Sequence, residues 1–275
     1  MKSILIAIDE SEASKAALSV GVEIGIISEA KIKGLYVEDI LRLLEWQTPA
    51  LMGAAIGLAS GIPDSRPTEE QVEVEKQFIK EGMHLKKLFD ETCQSLGAQG
   101  SFSTVRGKID EQIIEIAKTV DLVVLGKSSK VAENLLRHTS RPTLVVPPNA
   151  KFTNHILIAY DGSETSQRAL SAGAQFAKLQ PSLVEVISIS DHTEQANKSL
   201  KEAKDYLSAY ELNVNYSISR GSNKPWDAIL DKAKTFKAGL IVLGAFGNNK
   251  LLELIFGSTT REVLVQATCP VLLTR

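Results

Sequence analysis

Ile4-Leu5-Ile6-Ala7-Ile8-Asp9-Glu10-Ser11-Glu12-Ala13-Ser14 returns 152 positions later, without a gap, as Ile156-Leu157-Ile158-Ala159-Tyr160-Asp161-Gly162-Ser163-Glu164-Thr165-Ser166. Each copy is an unbroken apolar run ending on an acid, then a serine that heads a helix-like stretch. Such a run suits a strand buried on both faces, and the serine suits a helix N-cap. The match extends through Ala17-Leu18-Ser19 and Ala169-Leu170-Ser171 to Gly21 and Gly173. Val105-Arg106-Gly107 mirrors Ser219-Arg220-Gly221, and Leu122-Val123-Val124-Leu125-Gly126 mirrors Leu240-Ile241-Val242-Leu243-Gly244. Arg141-Pro142-Thr143-Leu144 mirrors Cys269-Pro270-Val271-Leu272. The chain reads as two copies of one unit, 1–148 and 152–275, joined near Pro147-Pro148, where tandem prolines suit a short stiff linker.

Within each copy apolar runs alternate with helical patterns. The second copy has such runs near 154–160, 182–190, 212–220, 239–244 and 270–274. The first has them near 3–9, 30–37, 99–106, 121–126 and 142–147. Strands separated by helices imply parallel crossovers. The expected fold is α/β, with two tandem doubly wound domains. Each is a five-stranded parallel sheet of order 3-2-1-4-5 flanked by helices. The first copy also carries an insertion at about 38–68, followed by a long helix from about Glu69 to Leu96. Trp46 to Pro63 is uncharged and apolar but broken by Pro49 and glycines, and it reads as a flap or interface helix rather than a membrane span.

In a sheet of this order, ligands bind outside the carboxyl ends of strands one and four, where strand order reverses. Asp161 ends strand one of the second copy and Gly244 ends strand four, so both face one crevice. Beyond Gly244 the chain reads Ala245-Phe246-Gly247, nine residues, then Gly257-Ser258-Thr259 before a helix-like segment. Glycines let backbone amides approach a ligand, and a Ser-Thr pair opening a helix adds hydroxyls and free N–H groups where the helix dipole favours an anion. That is the chemistry of a phosphate cradle.

This Gly-x-x-Gly, nine residues, Gly-Ser/Thr pattern resembles the nucleotide-binding signature of the universal stress proteins, as does the Tyr160-Asp161-Gly162-Ser163 turn. The resemblance covers nearly the whole chain as a tandem pair, and it implies an α/β domain that binds ATP or AMP. On it, Ala159, Tyr160 and Asp161 lie at the nucleoside, and the backbone at Ile189 holds the adenine. Gly244, Gly247, Asn248, Gly257, Ser258 and Thr259 hold ribose and phosphates, sometimes with a divalent cation such as magnesium. The resemblance also implies that the two domains pair through their last strands as a pseudo-dimer, and it leaves room for a further homodimer.

The first copy departs from the signature. Gly126 lies 16 positions before Pro142, whereas Gly244 lies 26 before Pro270. Aligned from the prolines, Ser129 stands at Gly257 and Lys130 at Ser258, so the phosphate loop is what the first copy lacks. Nucleotide is therefore expected in the second copy alone. Asp9, and to a lesser degree Asp161, reads as a helix cap.

Composition limits the partners. Net charge is −2 and charged residues make up 23% of the chain, so no strong field points to nucleic acid or a membrane surface. The two cysteines and four histidines show no metal or triad spacing, no metal site is expected, and a disulfide framework is not implied. Asp9 follows the first apolar run too soon for a signal peptide, and a cytoplasmic protein is expected. No side chain reads as a nucleophile or general base, so binding is expected over catalysis. A slow ATPase, an adenylate-transferring enzyme and a nucleotide-independent interaction module are the alternatives.

Overall fold

The apolar runs form the interior strands. The computed structural model describes residues 1–44, 69–220, 224–245 and 257–275. In the first half, β1 (Ser3–Ala7), α1 (Glu12–Ile27), β2 (Lys31–Asp39) and the short α2 (Ile40–Leu44) are followed by α3 (Glu69–Ser95). Then come β3 (Gly100–Gly107), α4 (Ile109–Ala117), β4 (Leu122–Gly126), α5 (Ser129–His138) and β5 (Thr143–Val146). The second half repeats the plan with β6 (His155–Ala159), α6 (Glu164–Ala177), β7 (Leu183–Ile189), α7 (Thr193–Leu207) and β8 (Asn213–Ser219). It closes with α8 (Pro225–Phe236), β9 (Leu240–Gly244), α9 (Ser258–Gln266) and β10 (Val271–Thr274).

The ten strands make one sheet, ordered β3-β2-β1-β4-β5-β10-β9-β6-β7-β8. Each half thus has the 3-2-1-4-5 order, and every pairing within a half is parallel. The halves meet where β5 and β10 pair antiparallel, Leu144 opposite Leu272. β2 runs to Asp39, two residues into the stretch read as insertion; most of that insertion, including Trp46, lies outside the described residues.

Side chains alternate across each strand, so both faces are apolar. Ile4, Ile6, Ile156 and Ile158 enter one layer, with α1, α3, α6 and α7 above it. Leu5, Val123, Leu157 and Ile241 enter the opposite layer, under α4, α5, α8 and α9. Ser163 caps α6 by accepting a hydrogen bond from the Ser166 amide at 3.2 Å, and Ser11 does the same for α1. Among the described residues no helix is long and apolar enough to cross a membrane.

The first strand is pinned at its start by Asp121, which accepts hydrogen bonds from the amides of Lys2 at 2.6 Å and Ser3 at 3.0 Å. The Lys2 amide above all, then that of Ser3, holds this carboxyl below its ordinary value of 3.8. A depressed folded value contributes stability above the unfolded value and loses it as pH falls through the folded one. Asp121→Asn should therefore show a flatter fall in melting temperature below about pH 4 than the parent chain. Identical acid profiles would remove Asp121 from the account.

Candidate functional site

The strand order opens a crevice between the carboxyl ends of β6 and β9. A cavity of about 250 Å³ lies there. Ala159, Tyr160 and Asp161 come from the end of β6, Ile189 from β7 and Gly244 from β9. Gly257, Ser258 and Thr259 come from the start of α9. Eight of the ten residues expected at a nucleotide thus line one cavity. The other two, Gly247 and Asn248, lie outside the described residues, as do Asn249 and Lys250.

Each wall has a distinct chemistry. Ile187, Pro225 and Ile229 add an apolar surface that a flat heterocycle could cover. Sequence reading missed it. The only available signal was the apolar spacing of α8, whose Ile229 and Ala233 are buried on one side. Trp226 joins the apolar layer instead, and its neighbour Pro225 borders the cavity. Tyr160 is buried, and burial first, with Glu202 adding to it, raises its phenol above the ordinary value. It therefore stays a neutral hydroxyl at physiological pH.

Asp161 is not the helix cap. Its Oδ1 accepts from the Ser163 amide at 2.9 Å, leaving the capping to Ser163, and its Oδ2 has no hydrogen-bond partner among the described residues. Asp9 makes the same turn with the Ser11 amide at 2.9 Å. The acid's turn-forming role is common to both copies, so the acid alone does not make a site. The following residue separates them: Gly162 takes φ +82, a left-handed conformation that favours glycine, where the first copy has Glu10.

The glycines of the signature have different jobs. A Cβ on Gly244 would lie 2.6 Å from Thr165 Oγ1 and 2.7 Å from the Thr165 carbonyl carbon. The start of α6 therefore packs too closely on this strand end to admit a side chain. A Cβ on Gly257 would meet nothing within 4 Å among the described residues. Gly257 is the N-cap of α9 and supplies no side-chain acceptor to the first-turn amides. The Thr260 hydroxyl donates to the carbonyls of Gly244 and Ala245 at 3.3 Å, tying that first turn to β9. Free N–H groups and the positive end of a helix thus meet the cavity.

The first copy offers the comparison. Its equivalent crevice holds about 80 Å³, bordered by Asp9, Ile109, Ile113, Gly126, Ser128 and Val131. Val131 stands where the second copy has Thr259. The N-cap of α5 is Ser128, whose hydroxyl accepts from the Val131 amide at 3.4 Å. A helix end that opens onto the cavity in one half is self-capped in the other.

The remaining candidates are structural. Arg106 pairs with Glu38 at 2.8 Å and Glu75 at 2.6 Å and lies over the Phe78 ring. His155 stacks on Phe236, and His84 pairs with Glu10. A larger groove of about 540 Å³ lies between β8 and α8, but its lining mixes Arg220, Lys224 and Lys232 with Asp227 and Asp231, and Lys232 is already paired with Glu185. The buried Glu185 accepts from the Ser217 hydroxyl at 2.5 Å and pairs with Lys232 at 2.7 Å.

The family model for the universal stress proteins matches residues 1–147 and 153–275. The chain belongs to the universal stress protein family. It is 25% identical, over 99% of both chains, to universal stress protein Slr1230 of Synechocystis. It is 31% identical to universal stress protein YxiE of Bacillus subtilis, over 44% of this chain and 99% of that one. The crystal structure of a universal stress protein from Archaeoglobus fulgidus superposes with a TM-score of 0.74, at 19% identity, over 99% of this chain and 98% of that one. That likeness is one of fold, and it extends the family's tandem arrangement across both halves.

Proposed function

We propose that this chain is a regulatory protein that binds one adenine nucleotide, ATP or AMP, in the crevice of its second half. On this reading residues 152–275 form the binding domain, and residues 1–148 form a scaffold domain that has given up its cradle. Ala159, Tyr160 and Asp161 face the nucleoside, with the unpartnered Asp161 oxygen available to a ribose hydroxyl. The backbone at Ile189 and the apolar wall of Ile187, Pro225 and Ile229 hold the base. Gly257, Ser258 and Thr259 face the phosphates, with Gly244 behind them and Gly247 and Asn248 in the loop. Magnesium, where it takes part, would arrive on the phosphates, since among the described residues no cluster of three or more acidic, histidine or cysteine side chains is placed to hold a cation.

The observation that carries the reading is the contrast between the halves. An uncapped helix start opens onto about 250 Å³ in one, and a self-capped start closes on about 80 Å³ in the other. The polar groups on the cavity wall are hydroxyls and one carboxylate already committed to a turn, which suits holding a ligand more than turning one over. The antiparallel β5–β10 ladder, which joins the half-sheets, supports reading the two halves as an internal pair. Protein incubated with ATP or AMP, desalted and denatured should release about one adenine nucleotide per chain, counted by mass spectrometry. Two per chain would defeat the single-cradle reading, and none would defeat the nucleotide reading.

A further inference from the structure

The ten-stranded sheet ends on two edges, and they are built differently. Strand β8 is Asn213-Val214-Asn215-Tyr216-Ser217-Ile218-Ser219, with no charge and no proline. Edge strands are usually blunted by one of these, because their unpaired N–H and C=O groups otherwise template another strand. The sequence of β8 is also self-complementary. Turned about a two-fold axis at Tyr216, it pairs Asn213 with Ser219, Val214 with Ile218 and Asn215 with Ser217. Small polar residues meet small polar residues on one face, and β-branched apolar residues meet each other on the opposite one. Ile218 is 38% exposed, whereas Val214 and Tyr216 pack on the apolar layer beneath α7. The two-fold brings that exposed isoleucine against Val214 of a second copy.

The flanking charges complete the match. Glu211 precedes β8 and Arg220 follows it; both are exposed, and neither has an ion-pair partner among the described residues. An antiparallel partner puts Glu211, in the turn just before one copy's β8, at the same end of the ladder as Arg220 of the other, and does so at both ends. The opposite edge lacks this. Strand β3 carries Arg106 one residue before its end, already engaged by Glu38 and Glu75, and is followed by another cation, Lys108, with Ala98 and Gln99 directly before its start.

We propose that β8 is the contact through which two copies of this chain associate, antiparallel about Tyr216, joining two ten-stranded sheets into one. Sedimentation velocity of the full chain across micromolar concentrations should show a reversible dimer. Arg220→Glu sets carboxylate against carboxylate at both ends and should raise the dissociation constant by about tenfold. Ile218→Lys buries an ammonium against the second copy's Val214 and should leave a monomer. The double variant Glu211→Arg with Arg220→Glu restores both pairs with charges exchanged and should recover the dimer, which a misfolded edge would not do. A parent chain monomeric throughout overturns the proposal. So does a dimer that Ile218→Lys and Arg220→Glu leave intact.

Discussion

Gly257→Val is expected to weaken ATP binding by roughly 100-fold while the protein melts within about 4 °C of the parent. The two halves of that expectation rest on separate observations. Among the described residues the space around Gly257 is open, with no atom within 4 Å of a Cβ placed there. Its backbone, at φ −55 and ψ 149, is one that any residue adopts. Valine is about 0.5–1 kcal/mol worse than glycine at an N-cap, a cost the fold can absorb. Binding is another matter. The isopropyl group would occupy the approach to the first turn of α9, whose amides have no side-chain cap. A hydrogen bond to a charged group contributes about 1.5–3 kcal/mol, so losing one or two of them gives the stated factor. Calorimetric titration and thermal melting of the same preparation check both parts. Parent-like affinity in the variant would place the phosphates elsewhere, whereas loss of both fold and affinity would mean that valine does not fit as the open space indicates.

Much of this fold is legible because the internal repeat supplies its own alignment. The unbroken runs at 4–8 and 156–160 supply the central strands of their half-sheets, and their lack of polar alternation reports burial on both faces. The crevice follows from strand order, which is why Asp161 and Gly244 can be brought together across 83 positions of chain. Local sequence does not reveal contacts made by tertiary approach. Nothing near Gly244 announces Thr165 as the atom set it must avoid. Nothing near Pro225 or Ile229 announces a cavity wall, since a helix's inward face looks the same whether it meets a strand or a ligand. The serine caps are legible, whereas the acid's role is less so: Asp and Ser two residues apart both suit an N-cap, and the geometry leaves the cap to Ser163 and gives Asp161 the tighter turn.

The glycine that ends strand four offers the second large effect. Gly126→Ala is expected to destabilise the protein by about 2–3 kcal/mol and to leave nucleotide binding unchanged. A Cβ on Gly126 would lie 2.7 Å from the Ser14 amide nitrogen and 2.8 Å from the Ala13 carbonyl carbon. These are backbone atoms, so no rotamer change relieves the clash; either α1 lifts from the sheet or β4 bends. The Ser14 hydroxyl in turn accepts from the Asp9 amide at 2.7 Å, so a displaced α1 also loosens the strand-one turn. The same substitution at Gly244 meets Thr165 just as closely, but Thr165 lines the proposed nucleotide cavity, and Gly244→Ala should lose stability and affinity together. Gly126 separates the two causes, because its half keeps the strand-end glycine although the phosphate loop is gone. If helix packing is what preserves it, thermal denaturation of Gly126→Ala should fall by roughly 5 °C or more, with one nucleotide still bound per chain. A variant that melts with the parent would return the strand-end glycine to the ligand and leave its presence in the first half without a cause.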